Sequence, residues 1–458
     1  MIRAKEYTIN QQRLIPTDLR DMLPENDLSF LIAEIVEVLD ITEISKKFVS
    51  TVGPLPYHPK MMISLLLYGY CTGVYSSRKI ERNTYVDIGF NFLAGGYHPD
   101  HVSIARFRNE NLDEFEGIFL QVLLMCKKAG LVKLGKVAID GTKIKANASI
   151  RKTKNYEAVA KEYEELEKTV NELVVKAKRI DNTEDKRYGA DKRGDELPEK
   201  LRNARNRMKE LERIKEEMEI EAKEIADRKA GMIAQREKEE KESGKKKRGR
   251  KPKRLSDIPD EKARHNFTDP DSRIMKNNAD GAFIQGYNAQ TVVDVDSQVI
   301  ITSEVTQDEN DKHMAVPLIL KLMDYLGVDD PADIANIKIT LDAGYFTGTE
   351  IEKLVGMGLD IFITPDGSYS KGKEIQLIGR IPKDMSFIDR MRRKVKTIKG
   401  KKIYAKRKIV EAPFGYIKEA RGFRRFSMRG IAKAQGEWNL ITLTHNILVL
   451  HRNNVTIE

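Results

Sequence analysis

The chain contains little cysteine, histidine or tryptophan. Among its 458 residues, Cys71 and Cys126 are the only cysteines, and there are seven histidines and one tryptophan. Two cysteines argue against a disulfide framework and favour a reducing compartment. The histidines are scattered and form no zinc-binding spacing. The stability of this protein must therefore come from hydrophobic cores, for which an apolar content of 40% is sufficient.

Long apolar segments are missing as well. No apolar run has the length of a membrane span, and the first residues lack the pattern of a signal peptide. We therefore expect no membrane partner and a cytoplasmic location. The length of the chain predicts two or three domains.

Positive charge is in excess. The 81 Lys and Arg residues outnumber the 70 Asp and Glu residues, which gives a net charge of +11 and an isoelectric point of about 9.2. A basic surplus raises the encounter rate with nucleic acid and neutralises phosphates. Many basic proteins bind nothing specific, so the charge agrees with a DNA partner without identifying one.

Two aspartates follow short apolar runs. Asp140 comes after the run 136–139 and precedes a glycine, and Asp342 comes after the run 337–341 and precedes Ala-Gly-Tyr. Each pattern predicts a buried strand that delivers a carboxylate at its end. The alternative is that either aspartate is an ordinary turn former or helix cap.

A spaced group of polar residues lies near the C-terminus. Two, three and six residues separate its successive members, which are Tyr404, Arg407, Glu411 and Lys418. A helix over about 410–419 would place Glu411 and Lys418 on one face. A phenol, a guanidinium, a carboxylate and an ammonium on one surface suit a metal ion and a phosphodiester.

This spacing resembles the YREK motif of cut-and-paste bacterial insertion-sequence transposases of the DDE group. The order Asp140, Asp342, Glu411 is similar to the D, D, E order of transposases with a ribonuclease-H-like fold. The resemblance covers nearly the whole chain apart from a central insertion. It implies an α/β ribonuclease-H-like core with the first Asp on a central strand, the second after the fourth strand and the Glu on a late helix.

The sequence fits this plan along its length. Apolar and β-branched runs predict five strands, with a helix between the third strand and the fourth. The predicted strands are 136–140, 287–295, 298–306, 337–342 and 360–364, and the helix is 311–326. Asp296-Ser297 predicts a tight turn between the second and third strands.

The resemblance also implies the chemistry. Asp140, Asp342 and Glu411 would hold two Mg²⁺ ions, with Mn²⁺ as a substitute, because hard cations prefer carboxylate oxygens. The implied enzyme cleaves transposon ends and transfers the 3′ strand to target DNA. Tyr404, Arg407 and Lys418 would bind phosphates.

The implied partners are double-stranded DNA, as inverted repeats and as target, and a second copy of the chain. Two transposon ends must be brought together, which suggests a homodimer on the DNA. The implied location is the bacterial nucleoid. Trp438 lies downstream of Glu411, whereas some relatives carry base-flipping tryptophans, so the excision route stays open.

Other acids are rivals for the third ligand. Asp269 and Asp271 flank a proline, a pattern that favours a capped turn over a metal site. Glu437, beside the tryptophan, is a weaker candidate.

The region 1–133 predicts an all-α DNA-binding domain. Short helices with a basic, serine-rich one in the middle suit a helix-turn-helix-like reader. The resemblance places four residues at its DNA face: His101, Ser103, Arg106 and Arg108. The alternative is a plain helical domain with solvated arginines.

The region 155–245 predicts an inserted antiparallel coiled-coil hairpin, because apolar residues recur at alternating spacings of three and four from Tyr156 to Ile180 and resume after Leu201. The hairpin could instead pair between subunits. It divides the core into 134–154 and 265–458.

A basic linker, 246–264, follows the insertion. Arg248 and Arg250 resemble the core of an AT-hook, which inserts arginines into the narrow minor groove of A·T-rich DNA. A non-specific phosphate-binding linker is the favoured alternative.

Two further functions remain open. One is a catalytically inactive DNA-binding protein of transposon descent, and the other is a basic coiled-coil scaffold.

Overall fold

The computed structural model describes residues 18–48, 55–188, 199–243, 255–277, 281–365, 377, 379–382 and 384–457, apart from the side chains of 177–188, 199 and 243. The helices before the first strand are α1 (Leu28–Val38), α2 (Thr42–Lys46), α3 (Pro59–Cys71), α4 (Ser77–Val86), α5 (Ile88–Leu93), α6 (His101–Glu110) and α7 (Phe115–Lys128). Capping side chains start several of them; Asp100, for example, accepts hydrogen bonds from the backbone of Val102 and Ser103.

The rest of the chain contains both strands and helices. The strands are β1 (Lys136–Lys145), β2 (Thr153–Asn155), β3 (Arg264–Asn266), β4 (Arg273–Lys276), β5 (Phe283–Asp294), β6 (Ile300–Thr306), β7 (Lys338–Leu341) and β8 (Asp360–Phe362). The helices are α8 (Tyr156–Tyr188), α9 (Glu199–Ser243), α10 (Ala315–Leu326), α11 (Gly348–Gly356), α12 (Phe387–Lys396), α13 (Ile398–Ala405), α14 (Glu411–Gly415) and α15 (Ile431–Arg452).

The main sheet is mixed, and β1 lies inside it. The strand order is β4-β5-β1-β7-β8, and β6 also pairs with β5. β1 is antiparallel to β5 and parallel to β7, which in turn is parallel to β8. The five strands predicted for the core are all present at nearly the predicted positions, and the first is central, as expected.

Helix α15 is the buried centre of the helical layer. It packs against β6 on one side and against α3 and α7 on the other. Its polar residues bind the outer edge of β6: Asn446 pairs with both backbone groups of Ile300 at 2.8 Å, and Gln435 accepts from Val305 N at 2.6 Å. The helix therefore covers an edge that would otherwise offer unpaired backbone groups.

Contacts divide the chain into two compact units, residues 1–147 with 274–458, and residues 148–273. The helical region predicted as 1–133 belongs to the same unit as the main sheet. Part of its attachment is the buried Arg421, whose guanidinium donates to Tyr70 O at 2.9 Å and to Thr444 Oγ1 at 2.5 Å.

The second unit contains the long helices α8 and α9. Tyr156 donates to Glu219 at 2.7 Å, and Arg207 donates to Glu162. Later residues of α8 therefore meet earlier residues of α9, which shows that the two helices are antiparallel. Its buried core consists of Val159, Leu211, Ile214 and Met218. The coiled-coil assignment remains a prediction.

Both cysteines are buried and free, in agreement with the expected lack of disulfides. None of the helices that the structure describes is both long enough and apolar enough to cross a membrane.

Candidate active site

Asp140 and Asp342 occupy equivalent positions along the neighbouring strands β1 and β7. The parallel ladder between β1 and β7 ends at the pair Ile139 and Leu341, so the next residue on each strand is an aspartate. Adjacent strands lie about 4.8 Å apart. The register therefore brings the two predicted acids together, beside the carboxyl end of β7.

Asp140 does not end its strand as the sequence predicts. β1 continues to Lys145, because its antiparallel pairing with β5 extends to Lys145 and Gly286 after the parallel pairing with β7 has stopped. The half-buried Asp140 accepts a hydrogen bond from Gly141 N at 2.8 Å. Burial raises the pKa of Asp140 to about 7, and the nearby charges of Asp342 and Asp311 add to the rise.

Asp311 is a third acid at this place, and the sequence analysis missed it. Its Oδ1 accepts hydrogen bonds from Asn288 Nδ2 at 2.8 Å and Gln290 Nε2 at 2.7 Å. The two amides are two residues apart on β5 and so project from one face of the sheet. A Cβ atom on Gly141 would collide with the Gln290 amide, so the glycine makes room for this arrangement.

The buried Tyr345 completes the network, because its hydroxyl donates to Gln290 Oε1. Lys143 Nζ donates to Glu309 O at 2.6 Å and lies 4.0 Å from Asp311 Oδ1. No spacing in the sequence connects these residues, since Asp311 lies in the loop between β6 and α10 and its partners lie on β5.

Three of the four spaced C-terminal residues contact the ends of strands. Arg407 Nη1 donates to Asp342 Oδ1 at 2.7 Å, and Lys418 Nζ donates to Lys143 O at 2.9 Å. The Tyr404 hydroxyl lies 3.0 Å from Thr364 Oγ1, and the Arg407 guanidinium lies over the Tyr404 ring. Burial lowers the pKa of Lys418.

Glu411 is exposed at the start of α14. It follows a 3-10 turn, Lys406–Val410, that packs against β1 and β7. The predicted helix is present, but it changes from a 3-10 turn to α14 and then to a π-helical turn, Tyr416–Ala420. The structure brings Asp140, Asp342 and Arg407 together, and no contact joins Glu411 to this group in the described part of the chain.

The acids fit a divalent cation in part. Asp140 and Asp342 supply the oxygen ligands that Mg²⁺ prefers, and a bound cation would offset the burial and the neighbouring acid charges that raise the pKa of Asp140. Within the described residues, however, no three acidic, histidine or cysteine side chains are placed to hold a metal ion. Asp140 and Asp342 therefore lie side by side, and the ligand set with Glu411 stays a prediction.

The rival acids have other partners. Glu437 is buried and accepts hydrogen bonds from Tyr70 at 2.9 Å and Ser427 N at 2.7 Å. Asp269 belongs to the second unit, in a turn closed by a bond from Ser272 N to its carbonyl, and Asp271 lies in the same turn. The favoured interpretation of this pair as a turn agrees with the structure.

Trp438 is fully buried, and its Nε1 donates to Gln290 O at 3.3 Å. This position gives the tryptophan a structural role behind β5.

Of the residues of α6 that were predicted to face DNA, one is exposed and one is buried. Arg106 is exposed, whereas Arg108 is buried and donates to Tyr70 Oη at 3.1 Å and Tyr75 O at 2.8 Å. His101 binds Glu81 at 2.8 Å, and Ser103 binds Asp100 at 2.7 Å. The position of Arg108 favours a structural role over the predicted DNA contact. Arg248 and Arg250 lie outside the described residues.

Two segments match known protein families. Residues 17–110, in the helical region, match a transposase domain (DUF772). Residues 256–447 match a transposase DDE domain. The second segment contains Asp342 and Glu411 and leaves out Asp140. No curated protein and no solved structure matches this chain.

Proposed function

We propose that this chain, whose two matched segments support an insertion-sequence DDE transposase, cleaves transposon ends and transfers the 3′ strand to target DNA by the cut-and-paste route. A DDE domain implies a ribonuclease-H-like α/β core, and the mixed sheet with its central β1 is consistent with it. The observation that carries the proposal is the register that sets Asp140 beside Asp342.

In the proposed mechanism, Asp140 and Asp342 would hold divalent cations, Mg²⁺ or Mn²⁺, and Glu411 would complete the ligand set when DNA is bound. Bound there, the ions would supply activation of a water or a 3′-hydroxyl and stabilisation of the leaving oxygen. Arg407 neutralises Asp342 in the structure without DNA. On the DNA, Arg407, Lys418 and the Tyr404 hydroxyl would hold phosphates beside the scissile bond.

The remaining parts of the proposal concern partners. Arg106 would contact DNA from the helical region, and the linker with Arg248 and Arg250 would bind phosphates. Two copies would hold two transposon ends together, and the inserted hairpin would form the predicted coiled coil. The protein would bind its DNA substrate on the bacterial nucleoid, in the cytoplasm.

Strand cleavage tests the proposal directly. Inverted repeats read from the DNA that flanks the gene define a labelled end duplex. The wild type should cleave it in Mg²⁺ or Mn²⁺, and Asp342→Ala should reduce cleavage to background while DNA binding is kept. Asp324→Ala, an exposed acid on α10, is the matched control and should cleave normally.

The second candidate is a catalytically inactive DNA-binding protein, which the separation of Glu411 from the two aspartates favours. A wild type that binds its own ends but cleaves in neither metal would support this candidate and contradict the first.

A further inference from the structure

The segment between the second aspartate and Glu411 is strongly basic. Residues 390–410 contain eleven Lys or Arg residues and no Asp or Glu. The segment forms α12, α13 and the 3-10 turn Lys406–Val410. Such a concentration of one charge within about 20 residues demands either internal partners or an external one.

Part of this charge is used inside the protein. Lys394 pairs with Asp360 at 2.6 Å and donates to Ile361 O, Arg392 pairs with Asp389 at 2.7 Å, and Arg393 donates to Gly379 O. Arg407 pairs with Asp342. These four cations already have partners within the protein.

Five of the six other lysines are exposed along α13 and the 3-10 turn that follows it. We call this set the lysine face, and it consists of Lys399, Lys401, Lys402, Lys406 and Lys408. In the part of the chain that the structure describes, none of the five contacts a carboxylate. Lys399, Lys402 and Lys406 recur at helical spacing and so share one side of the segment. The buried Gly400 and Ile403 lie on the neighbouring side of the helix, and α13 packs against β7 and β8.

The local structure fixes the direction of this face. Thr397 Oγ1 accepts from Gly400 N at 3.0 Å and caps α13. A Cβ atom on residue 400 would collide with Lys394 O, so only glycine allows α12 and α13 to meet so closely. Lys406 and Lys408 are the chain neighbours of Arg407, which places the end of the lysine face beside Asp342.

The dimensions fit a nucleic-acid backbone. The seven residue steps from Lys399 to Lys406 rise about 10 Å at helical spacing. Duplex DNA carries one phosphate per about 3.4 Å along each strand, so this length matches about three phosphates.

We propose that the lysine face binds the phosphate backbone of duplex DNA next to the scissile position, and so sets the register of the strand on the acids. The proposal rests on the proposed function, which supplies the scissile position, but its binding test does not depend on catalysis.

The test measures duplex affinity without divalent cations. A 40-base-pair duplex of arbitrary sequence is titrated in EDTA at several KCl concentrations. Replacing Lys399, Lys402 and Lys406 by Gln should reduce the slope of log affinity against log salt by about 2.7, and should weaken binding at 0.1 M salt by about 10²–10³-fold. Replacing the exposed Lys127, Lys128 and Lys433 by Gln is the matched control and should leave the slope unchanged.

A second measurement uses the wild type alone. Reductive methylation read by mass spectrometry should show that DNA protects the five lysines of the face but not Lys127 and Lys128. An unchanged slope in the triple variant, or equal methylation with and without DNA, overturns the proposal. If polyglutamate then binds the wild type but not the triple variant, the partner is an acidic protein.

The two proposals fail in different ways. If the wild type does not cleave the end duplex, but the triple variant shows the reduced salt slope and DNA protects the lysines, the proposed reaction is contradicted and the role of the lysine face is kept. If the triple variant cleaves the end duplex normally and its salt slope is unchanged, the role of the lysine face is contradicted and the proposed reaction is kept.

Discussion

At the scale of single residues, the site depends on a carboxylate that no motif indicates. Asp311 is held by two amides of β5, and Gly141 leaves the space that the Gln290 amide fills. Asp140 and Asp342 were predicted because each follows an apolar run. Asp311 was not, because its partners are 21 and 23 residues away on another element.

The charge of Asp311 should matter for cation binding by the protein without DNA. Asp311→Asn keeps an oxygen for Asn288 and Gln290 but removes the charge near Asp140. Groups that support metal ligands typically change metal affinity by about 10–100-fold, so we expect Mn²⁺ affinity, measured by electron paramagnetic resonance, to fall about 10-fold. Equal Mn²⁺ affinity in Asp324→Asn is the control, and equal affinity in Asp311→Asn would contradict the role.

His445 should make the stability of the protein pH-dependent. Its Nε2 donates to Gln298 O at 3.0 Å, and burial, with smaller contributions from Arg421 and Arg452, lowers the pKa of His445 to about 3. The unfolded chain protonates this group below about pH 6.5 and the folded chain does not, so stability falls as the pH drops from about 6.5 towards 3.

Between pH 7 and pH 5 this effect amounts to about 2 kcal/mol for one such histidine. His445→Gln keeps a donor for Gln298 O and should remove that part of the loss. Urea unfolding at the two pH values measures it, and a variant with the same pH dependence as the wild type would exclude His445 as the cause.

At the scale of elements, the sequence predicts where strands lie better than how far they extend. The run 136–139 predicts a strand that ends at Asp140, because the next residues are polar and glycine. β1 continues to Lys145, since β5 pairs with it over its whole length. Likewise, the predicted helix around Glu411 exists, but its changes of helix type come from packing on β1 and β7 and not from a sequence pattern.

The protection of the β6 edge by α15 gives a prediction at this scale. Asn446→Ala would leave the N–H and C=O of the buried Ile300 without partners. An unsatisfied buried group costs about 1–3 kcal/mol, so we expect a loss of about 2–5 kcal/mol in the free energy of unfolding.

Chemical denaturation measures this loss. The control is Lys433→Ala at an exposed position of the same helix, which should change stability by less than about 0.5 kcal/mol. Similar values for the two variants would show that the side-chain bonds to Ile300 do not stabilise the sheet edge.

At the scale of the whole molecule, the chain has two cores. One unit contains the main sheet with the N-terminal helices, and the other contains α8 and α9 around Val159, Leu211, Ile214 and Met218. The insertion was predicted from its heptad pattern. The inclusion of the helical region in the unit of the sheet was not predicted, because it depends on buried bonds such as that of Arg421 with Tyr70.

A core substitution in the second unit should destabilise that unit. Leu211→Ala removes a fully buried side chain, and such changes cost about 2–5 kcal/mol. Amide hydrogen exchange should become faster in α8 and α9 and stay unchanged in β1 and β5. Ile220→Ala, at an exposed position of α9, is the control. Faster exchange in β1 would mean that the two cores do not respond separately.

The sequence by itself determined the elements and the acids that follow them. Apolar periodicity marks strands and helices, because each element must bury a face, and charge spacing marks the residues that remain for chemistry. This local information was enough for the five core strands, Asp140, Asp342 and Arg407.

Only the tertiary structure decided which of these residues meet. The register of β1 on β7 sets Asp140 beside Asp342. Contacts with Tyr70 hold Arg108 and Glu437 in the interior, and the amides of β5 hold Asp311 from a distant loop. The tertiary structure also separates the internally paired cations of α12 from the exposed lysines of α13. Pairing across a sheet and burial against other elements are long-range properties, and no spacing along a single chain encodes them directly.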